Sequence, residues 1–230
     1  MSQLAPLKMD FPFQIVRSKR KSAAIHVKAN QVEVRIPHFV DDDWAIEFLS
    51  SKSHWVKRKL AQQAKQSARI PQIKSGNPLL WLGESKTIQY KGTGRGVTIN
   101  QESIEISART DEAALKALQD FFKQQAKRYL LARTWEIAQA YNLQDKIKQI
   151  RFRKTKTKWG HCTSQGVIQY NWLIMGAPKA VIDYLICHEL SHLKHPNHSQ
   201  AFWAHVKKMY PEYEKYQAWL KHNGVAISWC

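Results

Sequence analysis

Pro196 stands inside the most histidine-dense stretch of the chain, HELSHLKHPNH at residues 188–198. A proline lacks the backbone donor a helix needs and pushes the residue before it out of the helical region. A helix carrying the first histidines therefore stops near His195, and the chain must turn before another helix can start. His188 and His192 are four residues apart, so on a helix both imidazoles leave from one face. Ile182, Ile186, Leu190 and Leu193 fall on the opposite face and suit a buried anchor. Glu189 projects roughly 100° further round, where it can reach a water beside a bound ion without itself becoming a ligand. This is the physical content of an H-E-x-x-H segment.

A hydrolytic zinc site needs three protein ligands and one open position. His195 and His198 are the candidates for the third ligand, and the spacing favours His198. Asn197, with Gln200 three residues on, reads as an N-cap and its capping-box partner. His198 would then open the new helix after a sharp reversal and point back at the pair. The spacing also matches the metzincin pattern H-E-x-x-H-x-x-G-x-x-H. His195 stands where that pattern has glycine, so the chain is not assigned there; His195 reads as a turn residue or a group behind the ligands. His205 and His222 read as ordinary helix histidines. Cys162 and Cys187 read as small apolar residues, since three imidazoles already suffice and a fourth protein ligand would close the site.

Upstream, the segments FQIVRS, AAIHVK and VEVRIP alternate as strands do, with KAN at 28–30 as a turn. DDDWAIEFLSSKSHWVKRKLAQQ reads as one helix started by Asp41 to Asp43, with Trp44, Phe48, Trp55 and Val56 on its apolar stripe. PQIKSGNP at 71–78 is loop chemistry. Strands return in LLWLG, KTIQY, GVTIN and SIEIS. Between two of them, KGTGRG at 91–96 lacks the lysine and hydroxyl residue of a phosphate loop and precedes a strand, so it reads as a hairpin loop. A long helix starts at Thr110 to Glu112, followed by the strand QIRFRK, the segment TKTKWGHC, the strand VIQYNWLIM and a helix opened by Pro178. The pattern predicts an α+β protein with a β-rich region over 1–109 and a zincin-like domain over 110–230, the latter holding a small sheet and the H-E-x-x-H helix.

The chain has 230 residues and carries 36 Lys and Arg against 18 Asp and Glu. That excess favours polyanionic partners such as nucleic acid or nucleotides. Its densest run is Lys146, Lys148, Arg151, Arg153, Lys154, Lys156 and Lys158, leading into the WGHC segment. The start of the chain has no basic flank and sustained apolar run, no stretch suits a membrane helix, and three cysteines are widely spaced. A cytoplasmic protein with no disulfide framework and no membrane partner is expected.

KTKWGHC at 156–162 and VIDYLICHELSHLKHPNHSQAFW at 181–203, with the strand and proline-started helix between them, resemble the YgjP-like metallopeptidase family, which is distantly similar to SprT-type proteases. The resemblance is strongest over 151–220. His161 stands where that family usually has serine. The resemblance implies one zinc ion per chain on His188, His192 and His198, with Glu189 as catalytic acid/base. It implies a peptide or protein substrate. Members are also described as pyrophosphatases acting on UTP, so a nucleotide substrate taken up by the basic run 146–158 is the alternative. Arg153, Lys158 and His161 are candidates to stabilise charge developing on the substrate. Tyr170 and Asn171, on the strand expected to flank the cleft, are candidates to contact it.

Overall fold

Alternating burial along the central one of three short strands builds the first core. The computed structural model describes residues 9–28 and 31–230, and among these it contains six α-helices and three small sheets. β1 (Phe13–Ser18), β2 (Ala24–Lys28) and β3 (Gln31–Pro37) form a sheet in the order β1-β3-β2. β1 runs parallel to the central β3, and β2 antiparallel. The turn expected at KAN falls on residues 29 and 30, outside the described residues. Val32, Val34 and Ile36 alternate onto one face and are buried with Ala45, Leu49 and Val56.

The helix expected after Asp41 is two helices, α1 (Asp42–Ser51) and α2 (Ser53–Ser67). Asp41 caps the first, accepting from the Trp44 amide at 2.7 Å. Val56 is buried as expected, but its companions in the core are Ala45 and Leu49, each one position after an expected residue. Trp44 and Trp55, expected inside, are 44% and 36% exposed.

The chain divides into two compact units at Arg69/Ile70. The change of pattern near residue 109 lies inside the second unit, because the long helix packs on the strands before it. β4 (Pro78–Trp81), β5 (Glu84–Lys91), β6 (Gly96–Ile99) and β7 (Ser103–Ser107) form a mixed sheet ordered β4-β5-β7-β6. β5 and β7 are parallel neighbours, so KGTGRG does not close a hairpin; it carries the chain past β7 to the far side.

α3 (Asp111–Ala140) follows, with Thr110 as its cap. Ala114, Leu118, Phe122, Ala126, Leu130 and Thr134 recur every fourth residue and are buried, so one stripe of α3 runs through the core of the second unit. That stripe reaches the elements that carry the site. The Thr134 hydroxyl donates to the Tyr170 hydroxyl at 3.1 Å. Arg133 grips both oxygens of Asp183 at 2.9 Å, and the Tyr141 hydroxyl donates to the Met209 carbonyl at 3.1 Å.

The third sheet holds β8 (Gln149–Phe152), β9 (Gly160–Cys162) and β10 (Val167–Tyr170) in the order β8-β10-β9. On β8, Ile150 and Phe152 turn inward while Arg151 is exposed, as the alternation predicts. The strand expected through VIQYNWLIM stops at Tyr170. Asn171 accepts from the Leu173 amide at 3.1 Å and turns Trp172–Gly176 into a short 3-10 helix. Helices α4 (Lys179–Ser191), α5 (Gln200–Met209) and α6 (Tyr213–Asn223) complete the unit. Among the described residues, no helix is long and apolar enough to cross a membrane.

Phe122 is fully buried and meets Trp81, Trp172 and Trp229 edge-on at centroid distances of 4.9, 6.5 and 5.0 Å. Phe122→Ala should lower the unfolding free energy of the second unit by about 3–5 kcal/mol. Denaturant unfolding followed by tryptophan fluorescence checks this.

Candidate metal centre

α4 owes its orientation to its apolar side. Ile182, Ile186 and Leu190 are fully buried, and Leu193 packs partly buried on the same core. His188 and His192 are left on the other side. The helix tightens at its end: the amides of Leu193 and Lys194 donate to the carbonyls of Leu190 and Ser191, each at 3.1 Å. Pro196 then bars continuation. The next helix is capped by Ser199, whose hydroxyl accepts from the Phe202 amide at 3.4 Å, and not by Asn197. Serine caps as well as asparagine, and the two extra residues lengthen the reversal. His198 thus lies in the turn itself, just ahead of α5.

The reversal brings three imidazoles together. The donor nitrogens of His188, His192 and His198 all lie within 4.8 Å of one another. His188 Nε2 and His198 Nε2 are 3.1 Å apart. Two nitrogens on a tetrahedral zinc ion, each at about 2.0–2.1 Å, would stand roughly 3.3 Å apart. The His188–His198 pair is thus spaced for one small divalent ion, and His192 completes the cluster of three.

His192 Nδ1 lies 3.1 Å from the His195 carbonyl. A carbonyl only accepts, so Nδ1 carries the proton and Nε2 keeps its lone pair. His195 thus acts on the site through its backbone, while its ring lies beside His205, with centroids 5.6 Å apart. His205 Nδ1 in turn meets the Ser191 hydroxyl at 3.0 Å, and that hydroxyl donates to the Cys187 carbonyl, fastening α5 to α4. His222 is exposed and bonds within its own helix.

Two aromatic rings hold the imidazoles in place. Phe202 is fully buried and lies 5.0, 4.5 and 4.8 Å from the ring centroids of His188, His192 and His198. Trp203 stacks on His198 at 5.6 Å and on Tyr213 at 5.3 Å. Neither was singled out in the sequence; the FW pair one turn after the last histidine was the available signal.

Burial, and then the charges of His192 and His198, push His188 down to about 3. Burial also lowers His192. Neutral imidazole is the form that ligates metal. His188 Nδ1 is buried without a hydrogen-bond partner among the described residues.

Glu189 is 3% exposed, and its Oε2 is buried without a partner among the described residues. Burial pushes its carboxyl up to about 8, while Lys158 pulls it down. A lone carboxyl in such a place is costly unless a cation or a proton-bearing ligand meets it. Gly160 makes room for it: a Cβ there would fall 2.2 Å from Glu189 Oε1. Only glycine permits this approach, a requirement hidden in the WGHC segment.

The other expected residues divide. Lys158 is exposed and acts electrostatically on Glu189, and His161, exposed on β9, acts on His192. Arg153 is exposed; its amide donates to the Tyr170 carbonyl at 3.0 Å, and its side chain makes no bond or ion pair among the described residues. Tyr170 and Asn171 do not face a cleft. Tyr170 is fully buried in the middle strand, and Asn171 spends its side chain on the Leu173 amide and the Thr155 carbonyl. Burial pushes the Cys162 and Cys187 thiols up to about 12, so neither is a ready thiolate.

A family model described as YgjP-like, metallopeptidase domain, matches residues 21–223. The chain belongs to the YgjP-like family. The YgjP-like match spans every residue of the histidine centre and makes this a metallopeptidase domain, with hydrolase chemistry on a metal. Among solved structures, the metallopeptidase zymogen abylysin of Pyrococcus abyssi is similar at 20% identity and a TM-score of 0.36, covering 40% of this chain and 93% of that one. A likeness that low carries no argument. No curated protein matches the chain.

His198→Ala should abolish stoichiometric metal binding after dialysis, because one of the three converging nitrogens is lost. His195→Ala should retain it, because the contact is a backbone carbonyl. Metal analysis showing the reverse would exchange the two roles.

Proposed function

We propose that this YgjP-like chain is a zinc-dependent peptidase of zincin type, in which His188, His192 and His198 hold one ion and Glu189 moves the proton. The observation that supports this most directly is the convergence of three imidazoles together with the buried Oε2 of Glu189, the residue next to His188 in the chain, which has no hydrogen-bond partner among the described residues. Zinc is the ion that best suits an all-nitrogen set with one position left open. When bound, it supplies Lewis acidity, bringing the deprotonation of water close to neutral pH and polarising a carbonyl oxygen.

The residues of the chain supply the rest. Glu189 takes the proton from the attacking water as its oxygen adds to the peptide carbonyl carbon. It then passes that proton to the amide nitrogen as the C–N bond breaks, so an acid and an amine leave. Its raised affinity for a proton suits this shuttle. Lys158 and His161 are the cationic and hydrogen-bonding groups near enough to favour charge gathering on the substrate oxygen. Arg153 has no observation in its favour.

The substrate edge is β9. In the order β8-β10-β9 it pairs on one side only among the described residues. An extended peptide can add to that edge through main-chain hydrogen bonds, and Gly160 on β9 would bring it alongside Glu189. This replaces β10, the strand of Tyr170, which already has neighbours on both sides. The free cysteines suit a reducing cytoplasm.

Lys158 also favours a second reading, a nucleotide pyrophosphohydrolase acting on a UTP-type substrate with the basic run along its phosphates. Glu189→Gln should keep metal and fold while lowering turnover at least about 100-fold. The assay compares wild type and variant on an unfolded protein and on UTP, with and without chelator. Peptide cleavage that disappears in both controls supports the peptidase; UTP hydrolysis alone selects the second reading; undiminished turnover in the variant removes Glu189 as the proton carrier.

A further inference from the structure

The glycine-rich crossover is left unexplained by the histidine centre. β5 and β7 run parallel and end together, Lys91 opposite Ser107. From Lys91 the chain passes over the end of β7 to reach β6; from Ser107 it continues into α3. Two segments that diverge from the carboxyl ends of parallel strands leave a crevice between them. Here the crevice is a cavity of about 790 Å³, within the size range of small-molecule sites.

Its walls are built of small residues. Gly94, Gly96, Ser107, Ala108, Ala113 and Ala117 all line it. Gly94 and Gly96 have φ of +89° and +127°, which lets the loop fold over the end of β7; a Cβ at Gly94 would lie 3.4 Å from the Ser107 side chain. Three cations line the same space from three different segments: Arg95 from the loop, Arg109 from the β7–α3 connection and Lys116 from α3. None of the three side chains has a hydrogen bond or ion pair among the described residues. The one acid in the lining, Asp120, is engaged by Lys123 at 3.1 Å.

A cavity lined by three cations against one acid, with small walls, is suited to a compact, multiply charged anion. Two guanidiniums favour phosphate, whose oxygens match their paired donors. We propose that this cavity binds a phosphate-bearing small molecule, at a site that shares no residue with the histidine centre. The proposal does not rest on the peptidase reading.

Inorganic pyrophosphate is the probe, titrated calorimetrically into the metal-free full chain at fixed low ionic strength. One saturable equivalent is expected. Arg95→Ala and Arg109→Ala should each weaken it at least tenfold. Lys65→Ala, an exposed cation on α2, should change it less than twofold. Thermal unfolding of each variant confirms that the fold is kept; Arg95 and Arg109 are both exposed, so their loss leaves the core intact. Absence of saturable binding would overturn the proposal. So would equal weakening by Lys65→Ala, which would mean general charge attraction. A loss confined to Lys158→Ala would place the anion beside Glu189 instead and would equally overturn it.

Discussion

The burial of one side of α4 is the constraint on which the site depends. Ile182, Ile186 and Leu190 are wholly inside, and each aliphatic side chain so buried contributes about 1.5–3 kcal/mol relative to exposure. That preference fixes the rotation of the helix about its axis. With the rotation fixed, His188 and His192 can face only one way. Arg133 on Asp183 then fixes the helix against α3, and the Ser191–His205 bond fixes α5 against α4. The convergence of three imidazoles is a consequence of apolar packing elsewhere.

The same packing creates the chemical tension at Glu189. Its neighbour His188 is driven towards the neutral state by burial, while Glu189 is driven towards the protonated state by the same cause. Both shifts reflect groups that are poorly served by the protein alone. A divalent cation at the imidazoles would serve both. Gly160 belongs to this balance, since any larger residue would displace the carboxylate. The site is thus a place where the fold tolerates unmet polar demand, and such places are where chemistry is found.

Much of this was legible in the chain. The spacing of His188 and His192 against Ile182, Ile186 and Leu190 has one helical reading, and Pro196 has one consequence. The contributions of Phe202, Trp203, Gly160 and the His195 carbonyl were not legible, because they depend on segments meeting in space. In the first unit Trp44 and Trp55 were placed inside for their bulk, whereas the smaller Ala45, Leu49 and Val56 face the core. KGTGRG was misread as a hairpin because strand order is a non-local property; the insertion of β7 between β5 and β6 is set by pairing partners. Tyr170 failed as a substrate contact for the same reason, lying on a strand that gained neighbours on both sides. The domain division at residue 69 was missed because the change in local pattern at 109 coincides with a helix packing back on its own sheet.

X-ray absorption at the zinc edge of the reconstituted full chain tests the central claim most directly. A shell of three imidazole nitrogens and one further light atom is expected at about 2.0–2.1 Å, with no sulfur near 2.3 Å. A sulfur ligand, or a shell with only two imidazoles, would contradict it.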